Sequence, residues 1–246
     1  MNKIQVLAKE MKQFFSPETV TNVYDICGQL GIDIIEAPIN ADAYLECENG
    51  NSYIVLKESL NEKRKKFTIA HELGHFYIPW HSELMFGCDI KEMDFKNDYA
   101  PREKEANLFA AELLMPSEEF KIHFPGKINY VTVSAMAKMF DVSFLAALNR
   151  CIDLAVEDCM VVCSHERNIR WFKATEDFPL FITRKRVSQL SGADELFDSD
   201  SFQIKTIEEP GYVWFGNVED MTISEESIIF PNYKEVISII HLKDEF

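Results

Sequence analysis

Hydrophobic and polar positions along the first 60 residues alternate between helical and strand patterns. A helix is predicted over Ile4–Phe15 and a second one after Ser16-Pro17, with Gly31 favouring its end. The apolar run Ile32–Ile35 then predicts a short strand. Asn49-Gly50-Asn51 lies between two further strand-like runs and is typical of a hairpin turn. We therefore expect a small α/β arrangement at the start of the chain.

Two longer helices are predicted in the next part of the chain. Ser59 and Glu62 have the spacing of a capping box, and Pro79 favours the end of the helix that they begin. Pro101, a residue type favoured in the first helical turn, predicts the start of another helix that ends before Met115-Pro116. The apolar residues of this second helix follow helical spacing and should face the core: Ala106, Phe109, Ala110, Leu113 and Leu114.

The pattern changes in the second half of the chain. Residues 131–150 predict two short helices joined at Asp141-Val-Ser, a helix-turn-helix pattern. After Val156, short strand-like runs alternate with turns that are rich in glycine, proline and acidic residues. These runs are Met160–Cys163, Ile169–Phe172, Tyr212–Phe215 and Val236–His241.

These patterns together predict an α+β fold with three parts. Residues 1–127 are expected to form a mainly helical domain with a small β-sheet. Residues 128–155 should form the helix-turn-helix-like segment, and residues 156–246 a β-rich C-terminal domain.

Composition narrows the function classes. The net charge of -16 opposes tight binding to a phosphate backbone, so direct nucleic-acid binding is not expected. No apolar run approaches the roughly 20 residues that cross a bilayer, and the N-terminus lacks the pattern of a signal peptide. We therefore expect a cytoplasmic protein with no membrane partner. Its six cysteines form no CxxC pair and are expected to be reduced thiols.

The segment His71-Glu72-Leu73-Gly74-His75 carries the strongest chemical signal. Two histidines four residues apart lie on one face of a helix, where both imidazoles can bind one zinc ion. Glu72 is then placed to act as the general base on a water molecule. The surrounding helix is largely apolar, and burying two histidines and a glutamate there would be costly without a metal ion.

A catalytic zinc site needs a third protein ligand, and the sequence offers two candidates. His81 stands where HExxHxxGxxH zincins place their last histidine. That pattern requires a glycine at the position of Ile78, because the chain must turn back with a positive φ, which a β-branched residue resists. His81 is therefore the less favoured alternative.

The favoured third ligand is Glu103, on the predicted helix that starts near Pro101. Glu103 shares the face of the apolar stripe, so its carboxylate should point towards the core and need a partner. Asn107, one turn later, can hydrogen-bond a metal-bound histidine and fix its ring. Glu105 and Glu112 are expected on the opposite, solvated face.

Two segments together resemble a known family. FTIAHELGHF, residues 67–76, and EKEANLFAAELLMP, residues 103–116, resemble the ImmA/IrrE family of zinc metallopeptidases, whose hallmark is HExxH followed by ExxANxFAxxLLMP. The resemblance covers about residues 1–150. It implies a gluzincin-like site with His71, His75 and Glu103 as zinc ligands and Glu72 as base. It also implies that residues 1–127 form a peptidase domain of the zincin type, which cleaves a partner repressor, typically a helix-turn-helix protein encoded nearby. Residues 156–246 are then expected to regulate this activity or to dock the substrate.

The expected function is therefore zinc-dependent endopeptidase activity on a partner protein. One alternative is a transcription regulator that binds DNA through residues 131–150. This stretch has Lys138 and Arg150 against Asp141, too little positive charge for a recognition helix. Another alternative is a non-catalytic zinc scaffold, which the presence of Glu72 disfavours because a structural site needs four ligands and no base.

Overall fold

In the computed structural model, which describes residues 2–48, 50–82, 95–216, 218 and 220–243, the chain begins with two capped helices. Helix α1 (Lys3–Phe15) is capped by Asn2, which forms the reciprocal capping box with Gln5. Helix α2 (Val23–Leu30) ends at Gly31, whose φ of 69° is left-handed. Both predicted helices are confirmed, and Gly31 ends the second one.

A three-stranded sheet follows these helices. It consists of β1 (Ile32–Ala37), β2 (Ala43–Glu48) and β3 (Asn51–Lys57), in the order β1-β3-β2. Strands β2 and β3 pair antiparallel as the predicted hairpin, and β1 joins β3 in parallel. Gly50 turns the hairpin with a φ of 84°, while Asn49 lies outside the described residues. The hairpin leaves β2 at one edge of the sheet.

The next helices carry the motifs singled out in the sequence, with two corrected starts. Helix α3 (Glu62–Tyr77) is capped by Asn61 and not by Ser59, because the Asn61 side chain accepts the N–H of Arg64 at 3.0 Å. The helix ends before Pro79, as predicted, and a single turn, α4 (Pro79–Ser82), follows. Helix α5 (Phe95–Leu114) begins six residues before Pro101, since no glycine or proline interrupts the residues between.

Helices α3 and α5 pack against each other along apolar faces. Leu73, Ala106 and Phe109 are completely buried between them. Gly74 allows the close approach: a Cβ atom at this position would lie 3.2 Å from the Ala106 Cα and 3.2 Å from the Phe109 Cβ. The apolar stripe predicted for α5 is confirmed, because all of its members are buried.

Three shorter helices follow: α6 (Ser117–His123), α7 (Tyr130–Met139) and α8 (Phe144–Leu154). Helices α7 and α8 are bent by 109° at the predicted turn, within the range of helix-turn-helix pairs. Asp141 adopts a left-handed φ of 50° there, and its carboxylate binds Lys66 of α3. No single helix of the described residues is long and apolar enough to cross a bilayer, and only the bent α7 and α8 together meet that length and composition.

The rest of the chain forms a five-stranded antiparallel sheet in the order β5-β4-β8-β7-β6. Its strands are β4 (Cys159–His165), β5 (Asn168–Ala174), β6 (Gln203–Pro210), β7 (Thr222–Phe230) and β8 (Glu235–Leu242). Short helices α9 (Gly192–Leu196) and α10 (Tyr212–Phe215) and the 3-10 turn Pro231–Tyr233 lie between strands. The predicted β-rich C-terminal part is confirmed, and so is the α+β class.

One predicted strand is wrong. Tyr212–Phe215 forms helix α10, followed by Gly216 with a φ of 76°. A run of four apolar residues suits a buried helical turn as well as a strand, and here Val213, Trp214 and Phe215 bury their side chains in the core of the second sheet.

By contact density the chain divides into two compact units. The first is formed by Met1–His123 with Ala135–Ala147, and the second by Phe124–Ser134 with Leu148–Phe246. The first unit contains the three-stranded sheet and the helices α3 and α5. The five cysteines among the described residues are free thiols, and Cys88 lies outside them.

Candidate metal centre

Three side chains from two helices converge in the first unit. His71 and His75 lie on consecutive turns of α3, and their Nε2 atoms are 3.1 Å apart. Glu103 reaches them from α5: its Oε2 is 3.2 Å from the Nε2 of His71, and its Oε1 is 3.2 Å from the Nε2 of His75. The close packing of the two helices at Gly74 therefore places one nitrogen or oxygen of each residue around a common point.

The residues present fit a metal ion. A tetrahedral ion with ligands at about 2.0–2.1 Å has edges of about 3.3 Å between ligand atoms. The 3.1 Å between the two Nε2 atoms lies close to this value, each Nε2 has one Glu103 oxygen at 3.2 Å, and one donor atom from each of the three residues lies within 4.8 Å of the others. Two imidazoles and one carboxylate also leave a fourth coordination position open, as in catalytic sites.

The outer nitrogen of each histidine is held by a side chain. The Nδ1 of His71 lies 3.0 Å from the Oδ1 of Asn107, one turn beyond Glu103 on α5. The Nδ1 of His75 lies 3.1 Å from the Nδ1 of His81, on α4. Hydrogen bonds of this kind fix the orientation of the ring and the nitrogen that carries its proton.

The structure does not bring a nitrogen of His81 into the group of three. One nitrogen contacts His75, and the other, Nε2, lies 2.8 Å from the Oε2 of Glu105. Trp80 donates its indole N–H to the same oxygen at 2.7 Å. His81 is 3% exposed and lines the same pocket as the group of three.

The two glutamates expected on the solvated face of α5 are both engaged. Glu105 accepts hydrogen bonds from Trp80 and His81. Glu112 is 2% exposed and accepts from the backbone N–H of Ser117 at 2.8 Å and from its hydroxyl at 2.6 Å, at the start of α6. The prediction of surface charge is wrong for Glu112, because the start of α6 covers it, whereas the side chain of Glu105 is 36% accessible.

Glu72 lies beside the group and has an unusual acidity. Burial, followed by the charge of Glu103, raises the pKa of Glu72 to about 7, against a lowering contribution from the backbone N–H of Leu45 on β2. A carboxylate with a pKa near 7 can accept a proton and return it at neutral pH. Burial and the charges of His71, His81 and Arg102 lower the pKa of His75 to about 4, which keeps its imidazole in the neutral form that binds metal ions.

These residues line one pocket of about 720 Å³. Its wall includes the edge strand β2 at Tyr44 and Leu45, and the helices α3 and α5. The volume lies within the range of about 300–1,000 Å³ that is usual for ligand-binding clefts. An arginine and an aspartate at the rim, Arg64 and Asp42, pair with each other at 2.6 Å.

Sequence reasoning missed the contacts of Leu45, Trp80 and Glu105. Leu45 contributes a backbone N–H, which no side-chain pattern can reveal. The sequence did indicate that Glu105 has different neighbours from Glu103, because residues two positions apart lie on different sides of a helix. The packing of α4 against α5 is needed to show that these neighbours are His81 and Trp80.

Comparisons with known proteins agree with this geometry. The profile of the Peptidase M78 family, described as the IrrE N-terminal-like domain, matches residues 27–152. An uncharacterized immunity region protein 2 of Bacillus phage phi105 is 31% identical over 99 residues, which span 39% of this chain and 60% of that protein.

A solved structure shares the fold. A transcriptional regulator from Mycobacterium tuberculosis aligns with a TM-score of 0.65 and 12% identity, covering 98% of this chain and 76% of that one. At this identity the similarity concerns the fold alone. The family profile covers more than half of the chain and includes all of His71, Glu72, His75 and Glu103. The chain belongs to the ImmA/IrrE family, through an IrrE N-terminal-like domain of the Peptidase M78 type.

Proposed function

We propose that this protein is a zinc-dependent endopeptidase that hydrolyses a peptide bond in a partner protein. The observation that carries the proposal is the meeting of two imidazole nitrogens and one carboxylate at 3.1–3.2 Å, with Glu72 beside them in the same pocket. Membership of the Peptidase M78 family supports it.

In the proposed hydrolysis, the metal ion and the protein's own residues have separate roles. His71, His75 and Glu103 would hold the zinc ion, which would supply a Lewis acid for water and for the carbonyl of a peptide bond. Glu72 accepts the proton of the attacking water and then passes it to the leaving amine. The N–H of Leu45 orients the Glu72 carboxylate, and the raised pKa of Glu72, about 7, suits both transfers.

The partner that we propose is a helix-turn-helix transcriptional repressor, whose cleavage would relieve repression. This substrate rests on the resemblance of residues 67–76 and 103–116 to peptidases that act on such repressors. The chain covers 60% of the length of the phage relative, whose name states no substrate, so the substrate rests on the resemblance alone.

A DNA-binding function is the second candidate, because the solved structure with the same fold is a transcriptional regulator. Two features argue against it for this chain. Arg150, one of the two cations of the helix pair, is 2% exposed and cannot reach a phosphate. The net charge of -16 repels a nucleic acid backbone. Proteolysis is therefore the better supported function.

The test compares the wild type with Glu72→Gln. Each zinc-loaded protein is incubated with the helix-turn-helix repressor encoded beside its gene, and the products are identified by mass spectrometry. We expect the wild type to cut one peptide bond, and Glu72→Gln to keep its zinc but to react about 10²–10⁴-fold more slowly, because the general base is lost. Glu118→Gln, on the exposed face of α6, is the matched control and should cleave normally. Equal cleavage by Glu72→Gln would falsify the proposal.

A further inference from the structure

We propose that His81 is a positioning residue for the metal centre. Its imidazole accepts a hydrogen bond from the Nδ1 of His75, because Glu105 and Trp80 hold His81 in the required tautomer. This inference rests on the proposed function in one respect: it takes His75 as a metal ligand through Nε2. It adds a role for three side chains outside the group of ligands, on α4 and on α5.

The hydrogen-bond partners fix where each proton lies. A neutral histidine that binds a metal through Nε2 carries its proton on Nδ1. The Nδ1 of His75 faces the Nδ1 of His81 at 3.1 Å, so the His81 nitrogen must be the acceptor in this contact. The proton of His81 then lies on its Nε2, which is 2.8 Å from the Oε2 of Glu105. A carboxylate accepts this hydrogen bond without competing as a donor.

Trp80 strengthens the same arrangement. Its indole N–H, which can only donate, points to the Oε2 of Glu105 at 2.7 Å. One oxygen of Glu105 therefore accepts hydrogen bonds from both Trp80 and His81. Each hydrogen bond from His75 through His81 to Glu105 is therefore donated in the same direction, towards the carboxylate.

The two proposed histidine ligands differ in the group that accepts the hydrogen bond from their Nδ1 atom. His71 faces the amide oxygen of Asn107, an acceptor in every state of that side chain. His75 faces an imidazole, which can accept only in one of its two tautomers. An additional group must therefore select the tautomer of His81, and Glu105 is in contact to do so. Because His81 is 3% exposed, water has little access to replace either contact.

The test replaces His81 in two ways. His81→Leu removes the acceptor, and His81→Asn restores an acceptor oxygen near the position of Nδ1. Zinc affinity is measured by competition with a chromophoric chelator. We expect His81→Leu to bind zinc about 10–100-fold more weakly, as is usual when an outer partner of a ligand is lost, and His81→Asn to recover most of that affinity. His123→Leu, an exposed histidine on α6, should bind zinc as the wild type does.

A second variant covers the case in which His81→Leu does not fold. Glu105 is more exposed, with 36% of its side chain accessible, so Glu105→Leu should fold. Nitrogen-15 NMR of the zinc-loaded protein reports which nitrogen of His81 is protonated. We expect protonation on Nε2 alone in the wild type and a mixture of both tautomers in Glu105→Leu, with weaker zinc binding.

The outcomes separate this inference from the proposed function. A wild type that binds no zinc overturns both. A wild type that binds zinc, together with His81→Leu and Glu105→Leu variants of unchanged affinity, overturns only the positioning role. Protonation of the His81 Nδ1 in the zinc-loaded wild type would also overturn it, since that nitrogen could no longer accept from His75.

Discussion

At the scale of single residues, burial raises the pKa of two carboxyl groups, Glu72 and Glu209, that lie in different surroundings. Burial raises the pKa of both, and a neighbouring glutamate raises it further, Glu103 for Glu72 and Glu225 for Glu209. Glu72 lines the pocket beside the metal ligands. Glu209 lies on β6 in the second unit, where it is buried beside Glu225 and Trp214. A raised pKa alone therefore does not mark a functional site.

Glu209 predicts a pH dependence of stability. The pKa of its carboxyl group is higher in the folded chain than its ordinary value of 4.5, so the folded state keeps a proton that the unfolded chain releases above about pH 4.5. The stability contribution of Glu209 is therefore lost as pH rises above that value. Glu209→Gln, neutral at every pH, should be about 1–3 kcal/mol more stable than the wild type at pH 8 and nearly equal to it at pH 4.

This prediction is measured by urea unfolding at pH 4, 6 and 8. The matched control is Glu208→Gln, the neighbouring residue, whose side chain is 64% exposed beside Lys243. We expect the control to follow the wild type at each pH. An advantage of Glu209→Gln that stays the same from pH 4 to pH 8 would contradict the account.

The sequence predicts the residues of the metal group better than the contacts around them. His71, His75 and Glu103 follow from the geometry of single helices, because side chains three or four residues apart share a face. The contact of His81 with Glu105 depends on where α4 lies against α5, across 24 positions of chain. No local periodicity contains this information, so the sequence did not predict that these two side chains meet.

At the scale of elements, the approach of α3 to α5 brings the ligands together. His71 and His75 come from one helix and Glu103 from the other, and Gly74 lies at the point of close approach. The sequence predicted both helices but not this contact. It also predicted wrong starts for both, since caps and prolines limit helix ends only loosely when neighbouring residues also permit a helix.

Gly74→Ala tests whether this packing supports the metal centre. A methyl group there would lie 3.2 Å from the backbone of Ala106, tighter than ordinary contact, and would push the two helices apart. We expect a loss of about 1–3 kcal/mol in the free energy of unfolding, as for other overpacked cores, with weaker zinc binding. Chemical denaturation and chelator competition measure the two effects.

Gly28→Ala is the matched control for this substitution. Gly28 also lies within a helix, α2, but a Cβ atom there would meet no other atom within 4 Å. Its replacement by alanine should leave zinc binding unchanged and add up to about 1 kcal/mol of stability, because alanine favours the helix. If Gly74→Ala behaves in the same way as Gly28→Ala, the close approach does not hold the site.

At the scale of the whole molecule, the candidate chemistry belongs to one of two compact units. The metal group, Glu72 and the pocket are all built from residues 42–107, within the family match of residues 27–152. The second unit has its own core around a five-stranded sheet. Alternating short apolar runs predicted its β-rich class, but not the helical turn of Tyr212–Phe215, because four residues are too few to separate the two periodicities.

The central claim is that His71, His75 and Glu103 bind one zinc ion with an open fourth position. X-ray absorption spectroscopy at the zinc edge of the protein loaded with one equivalent of zinc tests it most directly. The account predicts two imidazole nitrogens and oxygen donors at about 2.0–2.1 Å, and no sulfur at about 2.3 Å. A sulfur ligand, or a spectrum with fewer than two imidazoles, would contradict the account.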